Sequence, residues 1–332
     1  MPLDRLLSAL RAALPEESAP LLSAQDSIIE LVELMRDESP AAVLAKAALF
    51  ASKQENSGAT RTRRGGLDFL VRFDLRDDRL VFTSGDADVR WALSPQIAHR
   101  ALCEANFAVE AIHDISLTFG VELFELLGLR NLSATMGEIF AREVYRLMKD
   151  RLLPNPNQDG YPDLIALTPK GVEYVEKHRR LGQMSDKSHW SPFPFGGVEV
   201  KSTCGNTPPA SEMAKPSIGE SRLPILVSAE WKAHHRETNN LLGVYWDFVD
   251  GLPTFLAIFF RNDLVKDDWG RIVQPREGGG RTTSVSIMKR KGVRKMGAGW
   301  LVLPDDDEML ARLGQRTVFA FGEVRRAERD RH

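Results

Sequence analysis

The sequence predicts an α/β fold in which a mixed β-sheet is flanked by helices, because a helical segment is followed by several strand-like segments and then by further helix. The clearest helix lies at 137–150, where apolar residues recur at spacings of three and four: Ile139, Phe140, Val144, Leu147 and Met148. The strongest strand signals are the β-rich runs 241–248 and 254–260. They flank Asp250-Gly251-Leu252-Pro253, whose composition predicts a tight turn.

The first hundred residues are expected to form a helical region followed by a small β-hairpin. Helices are predicted at 1–15, 27–35 and 40–51. Two strand-like runs, 67–73 and 79–82, lie on either side of Arg76-Asp77-Asp78, which predicts that they pair with each other.

The remaining elements follow from the same patterns. Residues 95–127 are mostly helical in pattern, and a strand is predicted at 162–167. Thr168 followed by Pro169 has the capping hydroxyl and first-turn proline of a helix start. Later elements are strands at 282–288 and 299–303 and a helix around 308–313.

Length and composition describe a globular protein. The chain has 332 residues, 43% of them hydrophobic, enough for one large or two ordinary domains with a real core. The start lacks the unbroken apolar stretch of a signal peptide, and no run approaches the roughly 20 apolar residues of a membrane span. The two cysteines, Cys103 and Cys204, are far apart and lack partners at zinc-site spacing. A cytoplasmic protein without membrane contact, disulfide scaffold or zinc finger is expected.

Charge is segregated along the chain. The formal net charge of −2 argues against indiscriminate binding of polyanions by the whole surface. Between Arg271 and Trp300, however, eight basic residues face one acid, Glu277. A local basic surface is therefore expected in the C-terminal part.

Two short segments carry an aspartate, a glutamate and a lysine on what read as neighbouring strands. They are Tyr161-Pro162-Asp163-Leu164-Ile165 and Val198-Glu199-Val200-Lys201. Side chains i and i+2 of a strand point to the same face, so Glu199 and Lys201 are expected side by side. Carboxylates are the hard oxygen ligands that Mg²⁺ prefers, and an ammonium can orient or help deprotonate an attacking water. These residue types suit metal-dependent cutting of a phosphodiester.

Pro162-Asp163 followed by Glu199-Val200-Lys201 resembles the PD-(D/E)XK signature of the restriction-endonuclease-like nucleases. The resemblance implies a restriction-endonuclease-like core, with N-terminal helical and C-terminal additions to its mixed sheet. It also implies that Asp163, Glu199 and the carbonyl of Val200 hold one or two Mg²⁺ ions, while Lys201 positions the attacking water. The products would carry 5′-phosphate ends.

Among such nucleases a type II restriction endonuclease is favoured, because the chain stands alone without an ATPase signature of the Gly-x-x-x-x-Gly-Lys-Ser/Thr kind. Double-stranded DNA is the expected partner, and a two-fold symmetric site would call for a homodimer. Two alternatives stay open. One is a DNA repair or phage-type nuclease that uses the same site, and the other is a non-catalytic DNA-binding protein in which the three residues are structural.

A helix before the sheet often supplies a further acidic residue in this family. Glu138 and Glu143 on the predicted helix 137–150 are the candidates, and at a separation of five they cannot both face the site squarely. Glu138 is preferred because it lies near the helix start, whereas Glu143 lies beside Arg142 and Arg146 and is expected to be solvated.

The two halves of the motif are 36 residues apart, from Asp163 to Glu199, which is longer than a simple hairpin requires. The insert is expected to begin with the helix that starts after Thr168 and to continue through the loop 185–194. It is either a solvated excursion or an element at the edge of the active site that touches DNA.

Three basic or polar segments are candidate DNA contacts, each with a solvated connector, loop or turn as its alternative. Their residues are Arg61, Arg63 and Arg64; Lys232, His234, His235, Arg236 and Asn239; and Lys289, Arg290, Lys291, Arg294 and Lys295. Three regions result: a helical region with a hairpin at 1–100 for recognition or dimerisation, a catalytic core at 101–270, and a basic extension packed on the core at 271–332.

Overall fold

A computed structural model describes residues 67–72, 79–83, 88–157, 160–205, 231–233, 240–273 and 285–317. The chain divides into two compact units, 1–61 and 62–332, and the described residues all belong to the second. The predicted helices at 1–15, 27–35 and 40–51 lie outside the described residues. Within the described ranges, no helix combines the length and apolar character needed to cross a membrane.

Strands and helices alternate along the described chain. The strands are β1 (Phe69–Val71), β2 (Arg79–Thr83), β3 (Asp88–Ala92), β4 (Leu152–Pro154), β5 (Leu164–Ala166), β6 (Gly197–Thr203), β7 (Lys232–Ala233), β8 (Leu241–Val249), β9 (Leu252–Arg261), β10 (Ser286–Ile287) and β11 (Trp300–Pro304). The helices are α1 (Pro95–Thr118), α2 (Leu123–Leu126), α3 (Leu129–Leu147), α4 (Pro169–Arg180), α5 (Arg290–Ala298) and α6 (Asp307–Thr317). Short 3₁₀ turns occupy Lys187–His189 and Lys266–Asp268.

A mixed seven-stranded sheet forms the centre, in the order β1-β11-β9-β8-β6-β5-β4. Strands β6 and β8 are parallel, and every other neighbouring pair in this sheet is antiparallel. The predicted α/β class with a mixed sheet flanked by helices is confirmed. Strand β6, which carries two of the motif residues, lies inside this sheet between β5 and β8.

Helices cover both faces of the sheet, which explains why β8 and β9 are buried along nearly their whole length. Leu242, Val244 and Trp246 of β8 point into the core formed with α1 and α3. Leu241 and Tyr245, which alternate with them, point into a second core that includes residues of α5 and α6. The alternation follows from the two-residue period of a strand.

The tight turn predicted between the two long strands is confirmed. Val249 pairs with Leu252, so the turn consists of Asp250 and Gly251 alone. Both have positive φ, 52° and 77°. A two-residue hairpin of this hand needs positive φ at both central positions, and Asp-Gly supplies them at little steric cost.

The hairpin predicted between 67–73 and 79–82 is wrong. β1 pairs antiparallel with β11, and β2 pairs with β3. Each of the five residues of β11 is buried, so this strand requires a neighbour on its outer side, and β1 provides it. β2 is held to β3 by the contact of Phe82 with Trp91, whose ring centroids are 4.9 Å apart.

Segments from all three of the predicted regions meet in the central sheet. β1 precedes residue 100 and β11 follows residue 270, yet they are paired neighbours. β11 lies between β1 and β9, so the C-terminal segment supplies an interior strand of the sheet in addition to packing on it.

Candidate active site

The two halves of the sequence motif lie on adjacent antiparallel strands. Leu164 of β5 is paired with Val198 of β6, which places Asp163 beside Glu199 where β5 begins. Glu199 and Lys201 are on one face of β6, in register with Leu241 and Gly243 of β8. The structure therefore brings together the aspartate, glutamate and lysine of the motif.

The ammonium group of Lys201 joins the two carboxylates. Its Nζ lies 2.6 Å from Oε1 of Glu199 and 3.1 Å from Oδ2 of Asp163. Both acids thus converge on one positive charge. Glu199 is buried, with 5% of its side chain exposed, whereas 32% of Asp163 and 22% of Lys201 is exposed. The exposed part of the site is accordingly on the Asp163 side.

Asp163 is fixed by the strand edge that it completes. β6 continues past the start of β5, so the N–H of Val200 faces a position where no β5 backbone carbonyl accepts it. The Oδ2 atom of Asp163 accepts that N–H at 2.8 Å, and the Asp163 N–H donates to Oε2 of Glu199 at 3.3 Å. Because the N–H and carbonyl of a strand residue point to the same neighbouring strand, the Val200 carbonyl lies on the Asp163 side of β6.

Burial and charge shift the pKa values of this group. Burial raises the pKa of Glu199 to about 7; Lys201 opposes this rise and the charge of Asp163 adds to it. Burial alone would lower the pKa of Lys201, but the adjacent carboxylates of Glu199 and Asp163 outweigh it and hold that pKa above its usual value. Lys201 is therefore an ammonium at neutral pH.

Helix α3 packs against β6 next to the motif. Ser133 Oγ donates to the Ser202 carbonyl at 3.2 Å, and Gly137 lies so close that a Cβ there would be 3.5 Å from the Ser202 Cβ. Glu138 follows Gly137 and is exposed. Its pKa is raised by partial burial and by the charge of Asp163, and Lys201 lowers it. The Glu138 carboxylate is thus an electrostatic neighbour of the site.

Glu143 does not share this environment, and the expectation that it is solvated is wrong. Its side chain is buried, with 6% exposed, and Oε2 accepts from Arg146 at 2.9 Å. Glu143 lies on the inner side of α3 between the apolar residues that pack on the sheet, so burial of that face takes it out of water. Its partner is the exposed Arg146 one turn later.

The insert between the motif halves begins with helix α4, as predicted. Thr168 Oγ1 accepts from the Gly171 N–H at 3.1 Å, and Pro169 occupies the first turn. The far end of the insert returns to the motif, because the Phe193 N–H donates to the Tyr161 carbonyl at 2.8 Å.

Asn155 is a site-supporting residue that sequence reasoning missed. Its Nδ2 donates to the carbonyls of Pro162 and Trp190, each at 2.9 Å, and so ties the residue before Asp163 to the insert. The Pro-Asn-Pro-Asn segment indicates a turn. Nothing local in it indicates that this amide binds two carbonyls distant along the chain.

The predicted DNA-contacting residues are described only in part. Arg61, Arg63, Arg64, His234, His235, Arg236 and Asn239 lie outside the described residues. Lys232 is exposed on β7, which pairs with β10.

The basic segment 289–295, predicted to contact DNA, forms most of a helix, so its alternative as a solvated turn is wrong. Lys289, Arg290 and Arg294 are exposed on α5 or at its start. Lys295 Nζ lies 2.8 Å from Oδ2 of the buried Asp268, and Lys291 lies 3.9 Å from its Oδ1. The acids that balance these lysines precede residue 271, so a charge count restricted to 271–300 does not include them.

The donor set at the motif is compatible with a divalent cation. Within the described ranges, no group of three or more His, Cys, Asp and Glu side chains is arranged to hold a metal ion. Asp163 and Glu199 nevertheless already converge on the Lys201 cation, and the Val200 carbonyl lies on the same side of the strand. Two carboxylates and a carbonyl are hard oxygen donors of the kind that bind Mg²⁺ with additional waters.

No protein-family model, no curated protein sequence and no solved structure matches this chain.

Proposed function

We propose that this protein hydrolyses phosphodiester bonds of double-stranded DNA with Mg²⁺, as a type II restriction endonuclease. The observation that carries the proposal is the convergence of Asp163, Glu199 and Lys201 at one edge of two adjacent strands. An incidental surface ion pair would not require a buried glutamate, a lysine shared between two acids and an aspartate bonded to the strand backbone.

The roles of the residues follow from their contacts. Asp163, Glu199 and the Val200 carbonyl would hold Mg²⁺, which when bound supplies charge neutralisation and lowers the pKa of a coordinated water. The hydrogen bond from the Val200 N–H fixes the Asp163 carboxylate before any ligand arrives. Glu138 adds a third negative charge beside the same edge.

Lys201 acts in this proposal as a hydrogen-bond donor and a fixed positive charge. Its pKa is raised by the two carboxylates, so it keeps its proton at neutral pH and is a poor acceptor of a proton from water. A charged donor in a partly buried site can orient the attacking water and stabilise the negative charge that develops on the phosphate.

The finer assignment rests on the resemblance to the PD-(D/E)XK signature and on the lack of a Gly-x-x-x-x-Gly-Lys-Ser/Thr pattern in the sequence given. A restriction enzyme that cuts symmetric sites would work as a homodimer with two active sites. A repair or phage-type nuclease would use the same three residues on DNA ends or structures. A DNA-binding protein without catalysis would keep the ion-paired trio as part of its fold.

Digestion of a mixed-sequence plasmid with Mg²⁺, followed by sequencing of the ends, tests all three. Discrete fragments with 5′-phosphate ends are expected. A smear or end-dependent loss would identify the repair or phage type, and DNA binding without turnover would identify the non-catalytic protein.

Substitutions then assign the activity to the motif. Asp163→Ala and Lys201→Ala should abolish cleavage while DNA binding persists, and Lys149→Ala, an exposed lysine just beyond α3, is the matched control and should cleave normally. Robust cleavage by a folded Asp163→Ala protein would overturn the proposal.

A further inference from the structure

The insert between the motif halves brings a second set of charges to the Asp163 end of the sheet. Asn155 binds the carbonyls of both Pro162 and Trp190, so the residues around Trp190 lie beside the motif. The backbone N–H of Trp190 donates to the Lys187 carbonyl at 3.0 Å, and its indole N–H donates to the Gln183 carbonyl at 3.1 Å. The 3₁₀ turn at Lys187–His189 and the residues that follow α4 are therefore bonded to Trp190, which Asn155 ties to Pro162.

Four basic side chains are exposed along this part of the insert: Lys177, Arg179, Arg180 and Lys187. Arg179 pairs with an acid of α4, and we call the other three the insert rim. Two of the three acids in this part of the insert are already engaged, and the third, Glu173, is exposed one turn before Lys177. Glu176 pairs with Arg179, and Asp186 accepts from the Ser188 N–H at 3.0 Å and from its hydroxyl at 2.7 Å. Among the described residues, Lys177 and Lys187 have no acidic partner.

A rigid apolar cluster fixes the insert rim. Trp190 is fully buried and stacks on Phe193, with centroids 6.0 Å apart and ring planes 8° apart. Tyr174 of α4 meets both rings edge-on. The backbone of the rim is consequently held by a packed element, so little loop ordering remains to oppose ligand binding.

We propose that the insert rim binds backbone phosphates of the DNA that flanks the scissile bond. This inference rests on the proposed nuclease function and names the surface that holds its substrate. Exposed Lys and Arg side chains supply the sequence-independent part of DNA affinity and set the register of the duplex on the protein. The rim belongs to the insert that Asn155 ties to Pro162, the residue before Asp163, so DNA bound to the rim would extend toward the candidate active site.

Stabilisation of α4 alone is a narrower explanation of these charges. Cations in the last turn of a helix interact favourably with its dipole, by about 0.3–1 kcal/mol. This accounts for Lys177 and Arg180 but not for Lys187, which lies outside α4 on the 3₁₀ turn.

The test measures the affinity of the protein for a short mixed-sequence DNA duplex by fluorescence anisotropy, at several salt concentrations. EDTA is present so that the duplex is not cleaved. The rim variant is Lys177→Ala/Arg180→Ala/Lys187→Ala. Its matched control neutralises three exposed cations that are not among the candidate DNA contacts: Arg90, Arg100 and Lys149. The rim variant should bind about 10- to 100-fold more weakly at low salt, and the slope of log K against log salt should be shallower by about 3.

Affinity and slope unchanged in the rim variant, or reduced equally in both variants, would overturn the proposal. Lys187→Ala keeps the test valid if the triple variant unfolds, because this substitution lies outside α4 and should still make the slope shallower by about 1. Cleavage by the wild-type protein is measured separately. If the wild-type protein cleaves DNA normally but the rim substitutions do not change DNA binding, only the rim proposal is refuted. If the wild-type protein shows no metal-dependent cleavage, the proposed function is refuted.

Discussion

Replacing Asp163 by alanine and by asparagine should separate the structural role of its carboxylate from its chemical role. Alanine leaves the Val200 N–H without the acceptor that now lies at 2.8 Å, and a buried donor without a partner costs about 1–3 kcal/mol. Lys201 keeps Glu199 as a partner, and the lost ion pair is partly exposed, so that loss adds under about 1 kcal/mol. Asparagine retains an acceptor oxygen and should lower the free energy of unfolding by under about 1 kcal/mol.

Urea unfolding at pH 7, followed by tryptophan fluorescence, measures the difference between the two variants. We expect Asp163→Ala to unfold at a clearly lower urea concentration than Asp163→Asn. The dependence of the free energy of unfolding on urea concentration should be similar for both variants. Cleavage should be lost in both, because neither side chain carries the negative charge. Equal destabilisation would refute the assigned hydrogen bond, and cleavage by either variant would refute the chemical role.

Three further predictions test other parts of the structure. The pKa of Glu199 is raised to about 7 in the folded state, so protonated Glu199 stabilises the fold; this contribution is fully present below about pH 4.5 and is lost as pH rises through 7. The free energy of unfolding, measured from pH 5 to 8, should therefore fall by roughly 3 kcal/mol, and Glu199→Gln should flatten this fall. Glu138→Gln should reduce cleavage at least about tenfold, whereas Glu143→Gln should leave cleavage unchanged and lower stability by under about 1 kcal/mol, a comparison that fails if the two behave alike. Arg316→Ala should lower the free energy of unfolding by roughly 3–5 kcal/mol because it strips the main partner from a buried aspartate of β8, while Arg312→Ala on the exposed side of the same acid should cost under about 1 kcal/mol in the same assay.

The sequence predicts those parts of the fold whose signals are local. The Asp-Gly turn, the start of α4 and the long buried strands follow from residue type and period, and the structure has each of them. Strand pairing is different, because β1 joins β11 from more than two hundred residues away and no local pattern specifies that partner. The predicted hairpin failed for this reason: a plausible turn lies between the two runs, but the first pairs with the buried strand β11 and the second pairs with β3.

The candidate site divides in the same way. The alternation of β6 predicts that Glu199 and Lys201 lie side by side, and the spacing of α3 allows only one of its two glutamates to face them. Asn155 could not be predicted, since its amide joins carbonyls that become neighbours only after the insert has folded back. The ion pairing of the α5 lysines likewise could not be predicted from the sequence of α5, because their partner Asp268 lies earlier in the chain.

The geometry of the motif depends on a mismatch in strand length. β5 has three residues and β6 has seven, so β6 extends beyond its neighbour at the Asp163 end and exposes a backbone N–H that needs an acceptor. A carboxylate at position 163 satisfies that N–H and is held in one orientation by it, which places its charge beside Glu199 and Lys201. If β5 were longer, a backbone carbonyl of β5 could accept the Val200 N–H in place of the Asp163 carboxylate. The donor would then be satisfied, but the carboxylate would no longer be held in position. The irregular end of β5 is therefore required for the site, because the backbone interaction that closes the sheet edge is also the one that orients the proposed metal ligand.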